Sequence, residues 1–235
     1  MIILVQSNHY FPFLKDPHKP NQDAHCEIYP FANRSDDAFF AVFDGHGPVG
    51  EHFSNYAKQN LPKLIATYLK QEQVKSLKAS NEKLPREERI PFNPKFFQPL
   101  TTQAHEGVCK RAHIECNENI IETQPLVNLS GSTAISASFH DGRVTICNVG
   151  DSRAILGYRD ANSEGKLLAV PLSQDQTPWR KDERERIQSC GGRCMTLDQV
   201  EGKEVPGDSA DDDYDRKLGE QGDIDIKGDP PRVCK

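Results

Sequence analysis

Apolar and polar positions recur along this chain with two different periods, and the change of period divides it. Residues 23–29 read as a short strand, and the apolar run Ala38-Phe39-Phe40-Ala41-Val42-Phe43 as a second, buried one. The polar stretch Asn33-Arg34-Ser35-Asp36-Asp37 between them has hairpin chemistry. Behind His46 the spacing becomes three and four: Phe53, Tyr56, Ala57, Leu61, Leu64, Ile65 and Leu69. This predicts an amphipathic helix over residues 49–69, with Pro62 as a kink point. Residues 71–94 are charged and carry Pro85, Pro91 and Pro94, so they read as an exposed, insertion-like loop. Helical spacing returns over 95–122, with Phe96, Phe97, Ala104, Val108, Ala112, Ile114 and Ile121 on the apolar side. From 130 onward the period is two. Strands are predicted over 131–139, 143–149, 152–158 and 167–170, with turns at Asp141-Gly142 and Gly150-Asp151. Consecutive strands on tight turns predict an antiparallel meander rather than a crossover. Thr177-Pro178 then opens a charged helix over 180–190, and the first twenty residues read as an extended lead-in.

The chain has 235 residues, enough for one large domain or two small ones. Its net charge of −6 counts against a general nucleic-acid binder. No stretch approaches the roughly 20 apolar residues that span a bilayer. The start, Met1-Ile2-Ile3-Leu4-Val5, is too short for a signal peptide and has no basic leader. The seven cysteines are odd in number and show no disulfide spacing. Neither Cys109 with Cys116 nor Cys190 with Cys194 has the two-residue gap of a zinc knuckle. They read as reduced thiols of an intracellular protein, cytoplasmic or nuclear. Asp208, Asp211, Asp212, Asp213 and Asp215 read as a solvated acidic loop.

The chemistry concentrates in Phe43-Asp44-Gly45-His46-Gly47. A strand end fixes the carboxylate, the glycines let backbone carbonyls approach a ligand, and the imidazole titrates near neutral pH. That combination suits metal-assisted chemistry. It equally suits a plain strand-to-helix turn, and the pentapeptide alone does not choose between them.

Further motifs follow in order: Ser130-Gly131-Ser132-Thr133-Ala134 and Asn148-Val149-Gly150-Asp151-Ser152-Arg153-Ala154, with Asn21-Gln22-Asp23 ahead of them. Leu172-Ser173-Gln174-Asp175-Gln176-Thr177-Pro178, Ile187-Gln188-Ser189-Cys190-Gly191-Gly192-Arg193 and Thr196-Leu197-Asp198-Gln199-Val200-Glu201-Gly202 complete the set. Together they resemble the metal-dependent protein phosphatase family, type 2C. The last three look most like its plant and protist branch, in which the phosphatase domain can be joined to cyclic-nucleotide-binding and kinase domains. The resemblance implies an α+β fold, a four-layer sandwich of two antiparallel sheets flanked by helices. Residues 1–18 would be a lead-in and 19–235 the phosphatase domain, with an acidic flap-like segment at about 203–228.

The implied activity is hydrolysis of phosphoserine and phosphothreonine in protein substrates, without nucleic-acid or membrane partners. Its implied cofactors are two Mg²⁺ or Mn²⁺ ions, which hard oxygen ligands select and which activate a water between them. Asp44 would be the bridging carboxylate, the Gly45 carbonyl a second ligand and Asp23 a third on the adjacent strand. Gln22 stands where other branches carry a metal-binding Glu, and an amide is the weaker ligand. Asp151 would touch an additional, weaker metal, or else serve a turn and an ion pair with Arg153. His46 would protonate the leaving alkoxide, or else cap the helix behind it. Lys19 would be the phosphate-binding charge where many relatives have an Arg, or else a solvated lysine. Ser132 and Thr133 are small residues beside the site rather than nucleophiles.

The family's two later Asp motifs do not occur in this chain. The expectation is therefore a C-terminally truncated domain with open strand edges. Catalysis would belong to the complete domain. The alternative is a catalytically inactive phosphatase-like module that binds phosphoproteins or other partners.

Overall fold

The computed structural model describes residues 2–6, 20–93, 97–160, 165–195 and 232–234. These fall into two compact units, residues 1–174 and 175–235. The first unit holds β1 (Ile2–Gln6), β2 (Asp23–Ile28), β3 (Ala38–His46), α1 (Gly50–Glu82), α2 (Thr102–Thr123), β4 (Gly131–Ser132), β5 (Ala134–His140), β6 (Arg143–Val149), β7 (Arg153–Arg159) and β8 (Leu167–Pro171). A large antiparallel sheet runs in the order β2-β3-β5-β6, with β4 paired to the end of β3. A smaller antiparallel sheet runs β1-β7-β8.

Period-two alternation decides what each face of β3 meets. Phe39, Ala41 and Phe43 join Ala57, Leu61, Ile65 and Leu69 of α1 in the main core. Phe40 and Val42 point the other way, paired with Ala137 and Ile135 of β5, both fully buried. On that side β1 approaches β3 and β7 approaches β5. The result is the α+β class that the sequence implies, two antiparallel sheets with α1 and α2 packed on the larger one.

Several local expectations are corrected. The third strand does not stop at Phe43 but continues through His46, because Asp44 pairs with Asp23 and Gly45 and His46 pair with β4. Residues 71–82 are not loop: α1 runs to Glu82, straight through Pro62. Leu69, Gln73, Leu77 and Asn81 carry its buried stripe on at four-residue spacing, and the charges between them are its solvated face. Asn81 then holds the returning chain, donating to the Ile90 carbonyl and accepting from the Ile90 N–H, both at 2.8 Å. The second helix starts at Thr102 rather than at 95. Pro99 stands before it, and the Thr101 hydroxyl caps it by accepting from the Ala104 N–H at 3.2 Å.

The buried stripe of α2 keeps the expected Val108 and Ala112 but adds His105, Cys109 and Cys116. Ile114 and Ile121, expected inside, are about half exposed at 49% and 54%. The meander breaks after β6, for β7 pairs with β1 and β8 instead. Gly150, at φ +100°, turns the chain, and fully buried Ser152 anchors it where it leaves for the smaller sheet. The apolar start of the lead-in is thus a strand, with Val5 opposite Ala154.

A buried polar tie holds the β2–β3 connection to the β5–β6 turn. Asp37, fully buried, accepts from His140 Nδ1 at 2.5 Å and pairs with Arg34 Nε at 3.2 Å.

The second unit holds α3 (Lys181–Ser189) and the antiparallel pair β9 (Arg193–Met195) and β10 (Arg232–Cys234). Arg184 of α3 is buried and donates to the Pro178 and Trp179 carbonyls. Lys19, the 196–202 motif and the acidic segment 203–228 lie outside the described residues.

Candidate active site

Asp44 and Asp23 face each other directly across β3 and β2. Side chains so placed share one face of the sheet, and like charges there repel. Asp44 is 2% exposed, whereas Asp23 is on the surface. Thr133 grips the Asp44 backbone at both ends. Its hydroxyl accepts from the Asp44 N–H at 3.1 Å, and its own N–H donates to the Asp44 carbonyl at 2.9 Å. The same hydroxyl lies 2.7 Å from that of Ser152. Through Thr133, the turn carrying half-buried Asp151 is brought to the end of the sheet that carries Asp44.

Three backbone segments converge on Gly45. A Cβ there would meet the Gln22 carbonyl oxygen at 2.4 Å and the Gly50 carbonyl oxygen at 2.5 Å. Gln22 is buried, and its Nε2 donates to the Gly47 carbonyl at 2.8 Å and to Glu51 Oε2 at 3.0 Å. That bond holds the Glu51 carboxyl below the ordinary carboxylate range. Sequence reasoning passed over Glu51. The available signal was an acid in the first turn of α1, four residues beyond Gly47. Gly47 itself takes φ +87°, and a Cβ would stand 2.2 Å from the Leu129 carbonyl oxygen, so the tight turn after β3 is closed to other residues.

His46 ends β3 in solvent, opposite Gly131. A Cβ at Gly131 would come within 2.9 Å of His46 Nε2, so the ring rests directly over the glycine. His46 does not cap the helix behind it. The N-cap position is Val49, and its N–H donates to the Ser130 hydroxyl at 3.1 Å. His46 also borders a pocket of about 460 Å³ lined by Phe53, Leu61, His113, Ile120, Val127 and Thr133, among others.

The structure therefore brings together Asp23, Asp44 and Gly45, sets His46 beside them, and connects Asp151 through Thr133 and Ser152. Among the described residues no three His, Cys, Asp or Glu side chains gather closely enough to hold an ion. The donors present still suit a hard divalent cation: two opposed carboxylates beside a crowded set of backbone carbonyls. The buried Gln22 Oε1 adds an acceptor oxygen without a hydrogen bond among the described residues.

The family profile described as Protein phosphatase 2C matches residues 7–205. The chain belongs to the protein phosphatase 2C family. Probable protein phosphatase 2C 35 of Arabidopsis thaliana is 32% identical over 197 residues, 84% of this chain and 47% of that protein. Probable protein phosphatase 2C 33 of Arabidopsis thaliana is 31% identical over 211 residues, 76% of this chain and 42% of that protein. The chain thus spans about half the length of these curated relatives. A crystal structure of serine-threonine phosphatase 2C from Toxoplasma gondii superposes with a TM-score of 0.57 at 20% identity. That match covers 98% of this chain and 71% of that one, and it shows the shared fold.

Proposed function

We propose that the protein carrying this chain hydrolyses phosphoserine and phosphothreonine esters of proteins with the help of Mg²⁺ or Mn²⁺. The observation that carries the reading is the Asp23–Asp44 pairing at the end of β3, inside the motif that defines the family resemblance. When bound, such ions supply Lewis-acid polarisation of water and of the phosphoryl oxygens. Asp44, Asp23 and the Gly45 carbonyl would hold them, and Asp151 a further, weaker one. Thr133 holds the Asp44 backbone still while that carboxylate carries its load.

Hydrolysis breaks the bond between phosphorus and the seryl or threonyl oxygen as water attacks in line. His46, exposed at the strand end, gives a proton to that leaving oxygen. Lys19 contributes a point charge to the phosphate. The motif at 172–178 and its two successors support a place in the branch that joins phosphatase domains to cyclic-nucleotide-binding and kinase domains. An intracellular setting belongs to the same reading.

The test is Mn²⁺-dependent release of phosphate from a phosphothreonine peptide, with Asp44→Asn beside the wild type and Mn²⁺ binding followed by calorimetry. The substitution removes a ligand charge and little volume, so the expected result is a folded variant with weakened Mn²⁺ binding and no turnover. Wild-type-like turnover in that variant would sink the assignment. A folded wild-type chain that binds Mn²⁺ but does not turn over would instead assign catalysis to a longer form of the protein.

A further inference from the structure

Two thiols meet where α2 packs on β6, away from the residues assigned above. Cys109 is 1% exposed, whereas Cys147 is half-buried. Each is the leading influence on the other's titration. Independent contacts fix the same juxtaposition. Cys147 pairs across the sheet with Ser136, and Thr145 with Ser138. One turn of α2 before Cys109, His105 lies 3.1 Å from the Ser138 hydroxyl and 3.0 Å from that of Thr145. One turn after it, His113 lies 3.3 Å from the Ser136 hydroxyl. Cys109 is therefore clamped between two anchored histidines directly above the strand position of Cys147.

We propose that Cys109 and Cys147 form a redox-active pair that closes to a disulfide when a hydroperoxide reaches Cys147.

The polarity of the pair follows from its neighbours. Cys109 and the Ser136 hydroxyl lower Cys147 toward its thiolate, while Cys147 and burial push Cys109 up. Cys147 is thus the attacking sulfur and Cys109 the resolving one. The Cys109 carbonyl accepts from His113 Nδ1 at 2.8 Å, so that nitrogen carries the ring proton. Burial keeps the ring neutral, so Nε2 faces the Ser136 hydroxyl as an acceptor, and the proton that Cys147 gives up leaves in the water or alcohol of the first step. In the first step the Cys147 sulfur attacks a peroxide oxygen: an S–O bond forms, the O–O bond breaks and one water or alcohol leaves. In the second, the Cys109 sulfur attacks the sulfenic sulfur: an S–S bond forms, the S–O bond breaks and a water leaves. The two thiols together lose two electrons and two protons, and the peroxide is reduced.

The experiment treats the full 235-residue chain with hydrogen peroxide, blocks remaining thiols with N-ethylmaleimide, and maps non-reduced peptides by mass spectrometry. The expected product is a linked pair of peptides containing Cys109 and Cys147, lighter by two hydrogens and separated by dithiothreitol. Cys147→Ser should abolish the link and leave Cys109 alkylated. Cys109→Ser should strand Cys147 as a sulfenic acid that dimedone traps. Cys26 and Cys116, pushed up to about 11 by burial, are internal controls that stay reduced. The proposal is overturned if Cys190 is oxidised in the same sample while no 109–147 link forms. It is equally overturned if that link forms only after unfolding in urea.

Discussion

Two helices cover the helix-bearing face of the large sheet, and both enter its apolar core, but α2 alone adds a buried histidine to it. Beneath α1 the contact is apolar: Ala57, Leu61, Ile65 and Leu69 share one core with Phe39 and Phe43. Beneath α2, Val108, Ala112 and Cys116 join that core, while beside them histidines reach serines and a threonine: His105 with Ser138 and Thr145, His113 with Ser136. Apolar burial is non-directional and large, so the α1 side supplies stability and immobilises the strand that carries Asp44. Hydrogen-bonded burial adds little net stability but is exacting, and its groups respond to protons and oxidants. One sheet face thus carries a rigid half next to the proposed site and a responsive half beside it.

The sharpest test of this contrast compares Phe43→Ala with His105→Ala by urea unfolding. Phe43 is fully buried, and emptying its site should cost about 3–5 kcal/mol. Loss of His105 leaves the Ser138 and Thr145 hydroxyls without their partner, at a cost of about 1–3 kcal/mol. The reverse ranking would break the distinction.

Acidification should single out the α2 side. Burial first, and His140 nearby second, press the His105 imidazole from 6.5 down to about 4. The unfolded chain then binds a proton that the folded one refuses. His105 therefore contributes its full stability above pH 6.5 and loses it as pH falls toward about 4. The melting temperature should drop across that window, and the drop should be shallower in His105→Ala. Identical slopes would remove His105 from the account. The smallest effect is expected at the start of α2, where Thr101→Ala deletes a cap worth about 1 kcal/mol, readable as a small shift of the urea midpoint.

Where the sequence states chemistry locally, it could be read. The β2–β3 hairpin and the α1 stripe follow from alternation and from turn punctuation, and the placement of Asp23 beside Asp44 from the family resemblance. What could not be read depended on distant partners. Residues 71–82 look like loop because their charges are plain in sequence, whereas the burial of Gln73, Leu77 and Asn81 is conferred by packing. Hydrophobicity nominates Ile114 and Ile121 for the interior of α2, but the sheet beneath offers serines, so His105 and Cys109 go in instead. The departure of β7 for the other sheet depends on its pairing with β1, about 150 positions earlier, which no period reveals. Glu51 joins the site only through the Gln22 amide, a partner 29 positions away in sequence.

The opposed placement of Asp23 and Asp44 has a thermodynamic corollary. Strand pairing has a period of two, so a slip of β2 by one position would carry Asp23 to the far side of the sheet. Any cation that both carboxylates grip is therefore bound only by the correct register. Ligand concentration and strand alignment become linked variables, and raising the free ion tightens the hairpin by RT ln(1 + [L]/Kd) without adding a single contact to its core.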